Sequence, residues 1–339
     1  MENELSDENL QTASTKLQQL RGELQNVLFG QELLIDLVIV GLLARGHLLL
    51  EGLPGLGKTE LVKGLAKALQ VEAKRVQFTP DLLPGDITGN PMLQEVDGRR
   101  EFVFQKGPLF ANLVLADEIN RASPKTQSAL LEAMQERRVT VMGQTHPLPP
   151  PFFVLATQNP IELEGTYPLP EAQLDRFLFK LEVNRNPVEV LERIIQHREL
   201  GAEPEVNAVM SGEELLGLMD LCRQIYLPPV VANYIARLVD ATHEGRSKHA
   251  EHIKFGASPR AALALAAAGK ARALLENRKN TSFEDVQALA PSVLGHRIVL
   301  DYTAKLEGMT ARSLVAGLLE EVPTQDLEVP QTLQEAKMG

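Results

Sequence analysis

Residues 52–60 read GLPGLGKTE and hold three glycines, a proline, a lysine and a threonine. A short apolar run, HLLLEG, precedes this stretch, and apolar residues at helical spacing follow it. Gly52, Gly57, Lys58 and Thr59 match the pattern G-x-x-x-x-G-K-[ST]. Glycines let successive backbone N–H groups point into the turn, where a phosphate can accept their hydrogen bonds. The positive amino-terminal end of the next helix faces the same phosphate. The stretch therefore predicts a strand–turn–helix unit that holds a phosphate group.

Each position of this turn has an expected task. Lys58 reaches the β- and γ-phosphates of a nucleotide, and the Thr59 hydroxyl ligates Mg²⁺. We expect the whole turn to contact the nucleotide, which includes Gly52, Leu53, Pro54, Gly55, Leu56, Gly57, Lys58, Thr59 and Glu60. The turn alone predicts binding and leaves hydrolysis open.

Acidic and amide residues follow two other apolar runs. NLVLADE places Asp117 and Glu118 after a strand, and LATQN places Asn159 after another. Ligands of open α/β sheets bind beyond the carboxyl ends of the strands. Asp117 is thus a candidate Mg²⁺ ligand, Glu118 the candidate base for the attacking water, and Asn159 a candidate contact to that water. Alternatively, the carboxylates cap the next helix, and Asn159 is a turn residue before Pro160.

Two arginines are candidates for stabilising charge on the transferred phosphate. Arg176 lies in LPEAQLDRF, and Arg260 lies in ASPRAAL at the start of an Ala-rich helix. Arg176 could instead be a surface partner for a carboxylate. Arg260 could instead be an arginine in the first helical turn.

Strands and helices alternate through the first half of the chain, which predicts a parallel sheet covered by helices on both faces. Two stretches read as inserted hairpins, 92–104 around Asp97-Gly98 and 137–152 near Gly143; loops of this kind often carry function.

After Pro187 the pattern is helical. The predicted division is a loose acidic tail 1–12, an α/β core 13–186, a small all-α lid 187–310, and a polar tail 311–339.

Composition narrows the class of protein. The 339 residues carry a formal net charge of −11, which disfavours a main task of binding nucleic acid. Cys222, the one cysteine, lies among apolar residues at helical spacing and reads as a buried hydrophobe. The polar amino terminus is no signal peptide, and no apolar run approaches the roughly 20 residues that span a bilayer. We expect a cytoplasmic protein without a membrane insertion.

Several motifs together resemble the MoxR family of AAA+ ATPases. They are VLFGQ (27–31), GLPGLGKTE (52–60), VLADEINRA (114–122), LATQNP (155–160), EGTYPLPEAQLDRF (164–177) and SPRAAL (258–263). The Gly-rich turn is common to many ATPases, whereas DEINRA with LPEAQLDRF is more specific. The resemblance runs over roughly residues 13–310.

The resemblance implies a P-loop αβα core with a five-stranded sheet of order 5-1-4-3-2, a helical lid, and a ring, usually hexameric, with ATP and Mg²⁺ at subunit interfaces. Arg176 would be the arginine finger, Arg260 the sensor-2 residue, and Leu28, Gly30 and Gln31 would lie by the adenine. The hairpins would be the helix-2 insert and the pre-sensor-1 hairpin. Similar proteins remodel or mature protein complexes as chaperones, often with partners that contain von Willebrand factor A domains.

Two other functions stay open at this stage. Arginines and a lysine near the hairpins, Arg99, Arg100, Lys106, Arg137 and Arg138, would suit a DNA-directed motor of the same clade. A nucleotide-gated scaffold without hydrolysis is the other possibility, although the presence of Glu118 and Asn159 counts against it.

Overall fold

The computed structural model describes residues 5–52, 55–96, 99–159, 165–183, 185–199 and 203–324, without the side chains of Val96 and Arg99. The chain divides into two compact units. The first comprises Met1–Tyr226 with Ala267–Asn280, and the second comprises Leu227–Ala266 with Thr281–Gly339. The predicted boundary between the core and the lid, at residues 186 and 187, stays a prediction.

The first unit contains nine strands and eight complete helices among its described residues. The strands are β1 (Leu48–Glu51), β2 (Ala73–Gln77), β3 (Gly89–Val96), β4 (Arg99–Lys106), β5 (Leu113–Asp117), β6 (Arg138–Val141), β7 (Gln144–Pro147), β8 (Phe153–Gln158) and β9 (Phe179–Glu182). The helices are α1 (Asp7–Val27), α2 (Glu32–Leu43), α3 (Lys58–Ala68), α4 (Pro84–Thr88), α5 (Pro124–Glu136), α6 (Glu171–Leu174), α7 (Val188–His197) and α8 (Gly212–Gln224).

A five-stranded parallel sheet forms the centre of this unit, with the order β2-β5-β8-β1-β9. If these five strands are numbered 1 to 5 in chain order and read from the β9 edge, their order is 5-1-4-3-2. This is the order that the family resemblance implied, so that prediction is confirmed. Strands β1, β5 and β8 are buried until their last residue, and these buried residues are apolar except for Thr157 of β8. Strands buried on both faces have continuous apolar sequences because helices cover each side. Their polar last residues, such as Asp117, therefore mark the carboxyl edge of the sheet.

Helices α1, α2 and α3 pack together beside this sheet. Helix α2 is buried along most of its length, as its nearly continuous apolar sequence predicts. Cys222 is also buried, in α8, and burial raises the pKa of its thiol to about 12. The prediction of a buried cysteine is confirmed.

The two predicted hairpins are present as separate antiparallel pairs, β3–β4 and β6–β7. Met142 and Gly143, both with positive φ, make the two-residue turn of the second pair, as a tight hairpin requires. The turn at Asp97-Gly98 lies outside the described residues. Phe104 of β4 stacks on His146 of β7, with 4.1 Å between ring centroids, so the hairpins contact each other at their bases.

The amino-terminal tail is shorter than expected. Helix α1 begins at Asp7, because the Ser6 side chain accepts a hydrogen bond from the Asn9 backbone N–H at 3.1 Å and caps the helix. Leu10 and Ala13 are buried on this first part of the helix. The expected loose segment to residue 12 is therefore wrong for residues 7–12: the polar sequence of a capped first turn hides its helical period.

The second unit is mainly helical. It contains α9 (Pro229–Asp240), α11 (Phe283–Leu294), α12 (Tyr302–Leu306), α13 (Ala311–Glu321), strands β10 (Ile253–Phe255) and β11 (Val299–Leu300), and the start of α10 (Pro259–Leu275), which ends in the first unit. The β10–β11 ladder departs from the expected all-helical pattern, since strands of three and two residues are too short to show alternation. Helix α13 corrects the predicted tail 311–339: Thr310 caps it, and Leu314, Val315 and Leu318 are buried.

His47, just before β1, is buried and fully bonded. Its Nδ1 accepts the Val154 backbone N–H at 3.0 Å, so its Nε2, 3.0 Å from the Met134 carbonyl, is the protonated nitrogen that donates. Burial lowers the pKa of the ring from 6.5 to about 4.

Because the pKa of His47 is lowered in the folded protein, we expect the free energy of unfolding to depend on pH. Below its unfolded pKa the unfolded chain binds the proton and the folded chain does not, so stability falls as pH falls from about 6.5 toward 4. At about pH 5 this one group should lower the free energy of unfolding by about 2 kcal/mol relative to neutral pH. Urea unfolding at both pH values, for wild type and His47→Gln, measures it. If the free energy of unfolding falls equally in both proteins between the two pH values, His47 is not the cause of the pH dependence.

Candidate active site

The Gly-rich turn joins β1 to α3, as the motif predicts. At Gly52 a Cβ would lie 2.8 Å from the Val183 carbonyl oxygen, so this close approach to the chain after β9 requires glycine. Gly57 has φ +80° and caps the amino terminus of α3. Leu53 and Pro54, two predicted contacts, lie outside the described residues. The backbone therefore presents the start of α3 toward the carboxyl edge of the sheet.

Lys58, the first residue of α3, folds back over the turn. Its Nζ donates a hydrogen bond to the Gly52 carbonyl at 2.8 Å. Partial burial lowers the pKa of Lys58, and the charges of Asp117 and Glu118 oppose that shift. A partly desolvated ammonium makes strong charge-assisted hydrogen bonds to an anion. The two carboxylates repel the same anion unless a cation lies between them.

A cavity of about 350 Å³ collects residues from distant parts of the chain. It is lined by the predicted residues Gly52, Gly55, Gly57, Lys58, Thr59, Glu60, Asp117, Glu118 and Asn159, and by Arg75, Gln77 and Thr157. The turn, the end of β5 and the end of β8 thus meet as predicted, because the carboxyl ends of neighbouring parallel strands lie at one edge.

Asp117, the last residue of β5, is held by its neighbours on both sides. Its Oδ1 accepts a hydrogen bond from the Thr157 hydroxyl at 2.5 Å. Its Oδ2 accepts from Arg75, at 2.7 Å from Nη2 and 3.2 Å from Nε. The carboxylate is therefore fixed in orientation at the cavity wall.

Glu118 has a left-handed backbone, with φ 56°, which is uncommon for a residue other than glycine. Its backbone N–H donates to the Thr157 hydroxyl oxygen at 2.8 Å. Its side-chain Oε2 accepts from Gln77 at 2.7 Å and from Arg121 at 3.0 Å. Such strained backbone conformations concentrate at functional sites, and here the conformation places adjacent carboxylates on one cavity.

Sequence reasoning missed three lining residues, Arg75, Gln77 and Thr157. Arg75 and Gln77 are two residues apart on β2, so their side chains leave the same face of that edge strand. Thr157 stands two residues before Asn159 in LATQN. Their polarity within or beside apolar strands is the only sequence signal, and it does not identify their partners.

A second cavity, of about 250 Å³, lies next to the turn and includes Leu28, Phe29 and Leu56 in its lining. Arg193 and Arg198 lie over the Phe29 ring at 5.2 and 5.4 Å. Of the three residues expected near adenine, Leu28 lines this cavity. Gly30 instead packs against Val190, and the Gln31 amide donates to Asn186 at 2.8 Å.

The two candidate arginines belong to different units of the chain. Arg176 follows α6 and lines a separate cavity of about 630 Å³, together with Glu132 and Glu136 of α5 and Arg138 of β6. In the described part of the chain its Nε is buried without a hydrogen-bond partner. Arg260 is an exposed residue in the first turn of α10, within the second unit. Arg176 is not among the residues that line the Lys58 cavity.

Comparison with known proteins identifies the family. The model described as the ATPase family associated with various cellular activities (AAA) matches residues 47–179, and the AAA lid domain model matches residues 246–318. Chaperone MoxR1 of Mycobacterium tuberculosis is 42% identical over 326 residues, which cover 93% of this chain and 86% of that protein. The chain belongs to the MoxR family of AAA+ ATPases.

Other MoxR-type relatives agree. Protein MoxR of Methylorubrum extorquens is 30% identical over 89% of this chain and 93% of its own length. A crystal structure of a candidate ATPase from Cytophaga hutchinsonii is 39% identical, with a TM-score of 0.86, and covers 94% of this chain and 97% of that one. The AAA+ fold predicted from the sequence is therefore confirmed.

The donor atoms around the MoxR-type turn suit a hard cation. Across the described ranges, no group of three or more His, Cys, Asp or Glu side chains could hold a metal ion by itself. The Lys58 cavity instead offers the Asp117 carboxylate and the Thr59 hydroxyl. Mg²⁺ binds through one or two such oxygens together with substrate phosphates, so these residues fit it.

Within the described helices, none has the length and apolar character needed to cross a membrane.

Proposed function

We propose that this MoxR-family chain binds Mg-ATP in the Lys58 cavity and hydrolyses it to ADP and phosphate. The observation that carries the proposal is the meeting of Lys58 and the α3 amino terminus with Asp117, Glu118 and Asn159 around one cavity. The helix terminus and the ammonium bind phosphate oxygens, and the acidic side supplies the groups that hydrolysis needs. Membership of an ATPase family supports the same reaction.

Each residue of the cavity has a proposed role. Lys58 binds the β- and γ-phosphates, and Thr59 and Asp117 hold Mg²⁺, whose positive charge neutralises charge that develops on the phosphates. Glu118 orients the attacking water and takes its proton, and Asn159 contacts the same water. Glu118 and Asn159 in the cavity wall support hydrolysis over a scaffold that only binds nucleotide.

The proposal extends to a ring. Arg176 lines a different cavity from Lys58, which supports an arginine that serves a neighbour's nucleotide. We propose a homo-oligomer, hexameric in the usual arrangement of the family, with Arg260 of the lid acting at the bound phosphate. We propose that the oligomer acts as a chaperone, which the name of the relative Chaperone MoxR1 supports. The remodelling of protein complexes and a partner with a von Willebrand factor A domain are proposed from the family resemblance alone.

The hairpins are the proposed contacts to a client protein. Leu93 and Phe102 face each other across β3–β4 and are 54% and 66% exposed. Exposed apolar side chains on a projecting hairpin suit contact with apolar protein segments. A DNA-directed motor gains less support, since Arg138, the first residue of the second hairpin, pairs with Glu136 at 3.1 Å.

Lys58→Ala tests the binding step. Removal of the ammonium deletes a charge-assisted contact of roughly 1.5–3 kcal/mol, so ATP affinity should fall about 10- to 100-fold. Isothermal titration calorimetry with ATP measures the change. Lys63→Ala is the matched control: Lys63 also lies on α3 but is exposed, and it pairs with Glu60 and Glu203. Unchanged ATP affinity in Lys58→Ala would contradict the phosphate assignment.

A further inference from the structure

Arg75 makes an ion pair inside the candidate active site. It lies on β2, the strand beside β5, and two of its nitrogens approach one oxygen of Asp117, Nη2 at 2.7 Å and Nε at 3.2 Å. The Arg75 side chain is 53% exposed, whereas that of Asp117 is only 17% exposed. The arginine can therefore leave toward solvent while the carboxylate stays in place.

The other oxygen of Asp117 is also engaged. Oδ1 accepts the Thr157 hydroxyl at 2.5 Å, and that hydroxyl oxygen in turn accepts the Glu118 backbone N–H at 2.8 Å. Thr157 is 1% exposed, so this contact is fixed by the core. The oxygen that Arg75 contacts, Oδ2, is consequently the more available of the two for another cation.

We propose that Arg75 is a positioning residue that competes with Mg²⁺ for Asp117 and thereby reduces the contribution of the metal to nucleotide binding. This inference rests on the proposed function. A guanidinium 2.7 Å from the carboxylate oxygen partly neutralises the charge that attracts the metal, and it repels a second cation at close range. An exposed arginine holds such a pair weakly, so the metal displaces it at a modest loss of affinity.

Arg75 also contacts the group that orients Glu118. Its Nη2 donates to Gln77 Oε1 at 2.9 Å, and Gln77 Nε2 donates to Glu118 at 2.7 Å. Arg121 contacts the same Glu118 oxygen, at 3.0 Å from its Nη1. Arg121 is therefore the matched control, because its removal deletes one positive charge next to the other carboxylate.

The test compares the affinity for ADP with Mg²⁺ and with a chelator, by calorimetry, in wild type, Arg75→Gln, Arg75→Lys and Arg121→Gln. The quantity of interest is the ratio of the two affinities. Arg75→Gln should raise this ratio about three- to tenfold, because the competing charge is gone. Arg75→Lys, which keeps the charge, and Arg121→Gln should leave it close to wild type. Circular dichroism checks that all variants fold.

Two outcomes would overturn the inference. An unchanged ratio in Arg75→Gln would show that Arg75 does not compete with the metal; if ADP affinity also falls equally with and without Mg²⁺, Arg75 is a direct contact to the nucleotide instead. An equal rise in Arg75→Lys would show that the positive charge is not the cause. In each case wild type still binds ADP; wild type that binds no ADP would instead overturn the proposed function and this inference together.

Discussion

Arg176→Ala should bind ATP nearly as wild type does and hydrolyse it about 10³–10⁵-fold more slowly, the range that arginine fingers contribute to phosphoryl transfer. The expectation follows from where the residue lies. Arg176 is absent from the lining of the Lys58 cavity, so its removal leaves the binding groups intact. Its Nε is buried without a hydrogen-bond partner among the described residues, which suits a side chain whose partner comes from elsewhere.

Arg138→Ala is the matched control for this experiment. Arg138 lines the same cavity of about 630 Å³ as Arg176, but it already pairs with Glu136 at 3.1 Å. Its removal deletes the same charge from the same surface and should change the hydrolysis rate far less. Calorimetry gives the ATP affinity, and phosphate release gives the rate. If both variants lose a similar part of the hydrolysis rate, the rate depends on the positive charge of this surface, and Arg176 is not an arginine finger.

Mixed oligomers separate a finger that acts on a neighbour from one that acts on its own nucleotide. Arg176→Ala keeps a working pocket, and Lys58→Ala keeps an intact finger. If the finger acts across an interface, a mixture of the two inactive proteins should recover part of the activity. Failure to complement, in mixtures where mixed rings are shown to form, would favour an arginine that acts in its own subunit or only in packing.

Sequence alone predicted the parts of the site that depend on chain order. A Gly-rich turn after a buried strand must lie at the carboxyl edge of a parallel sheet, and so must carboxylates that end another buried strand. For that reason the sequence alone predicts that Lys58, Asp117 and Asn159 lie around one cavity. The family resemblance added the strand order, which neither composition nor periodicity contains.

The missed residues depend on strand register. The contact of Arg75 with Asp117 requires β2 to lie beside β5 with Gln77 opposite Asp117, and no local pattern encodes that pairing. Thr157 reads as one more residue of a buried strand until β5 and β8 are aligned. The errors at the chain ends have other causes. In α1 the cap Ser6 is followed by mostly polar residues, so the helical period is weak there. In α13 the apolar residues Leu314, Val315 and Leu318 do stand at helical spacing, and the prediction of a polar tail overlooked them.

Glu118→Gln should keep ATP binding and lower hydrolysis about 10²- to 10⁴-fold, because an amide cannot take a proton from water. The substitution preserves size and one oxygen, so Gln77 can still donate to the side chain as it does to Glu118 at 2.7 Å. The backbone N–H contact to Thr157, at 2.8 Å, is unaffected by the side-chain change. Loss of a negative charge close to the phosphates should, if it changes affinity at all, strengthen ATP binding.

Glu60→Gln is the control for Glu118→Gln. Glu60 lines the same cavity from the first turn of α3 and pairs with Lys63 at 3.5 Å, so it offers an equal change of charge without a role as base. Single-turnover phosphate release should therefore collapse in Glu118→Gln and stay near wild type in Glu60→Gln, while calorimetry finds ATP bound in both. Hydrolysis at the wild-type rate in Glu118→Gln would assign the base to another group, and Asn159 could not replace it, since an amide side chain has no proton affinity near neutral pH.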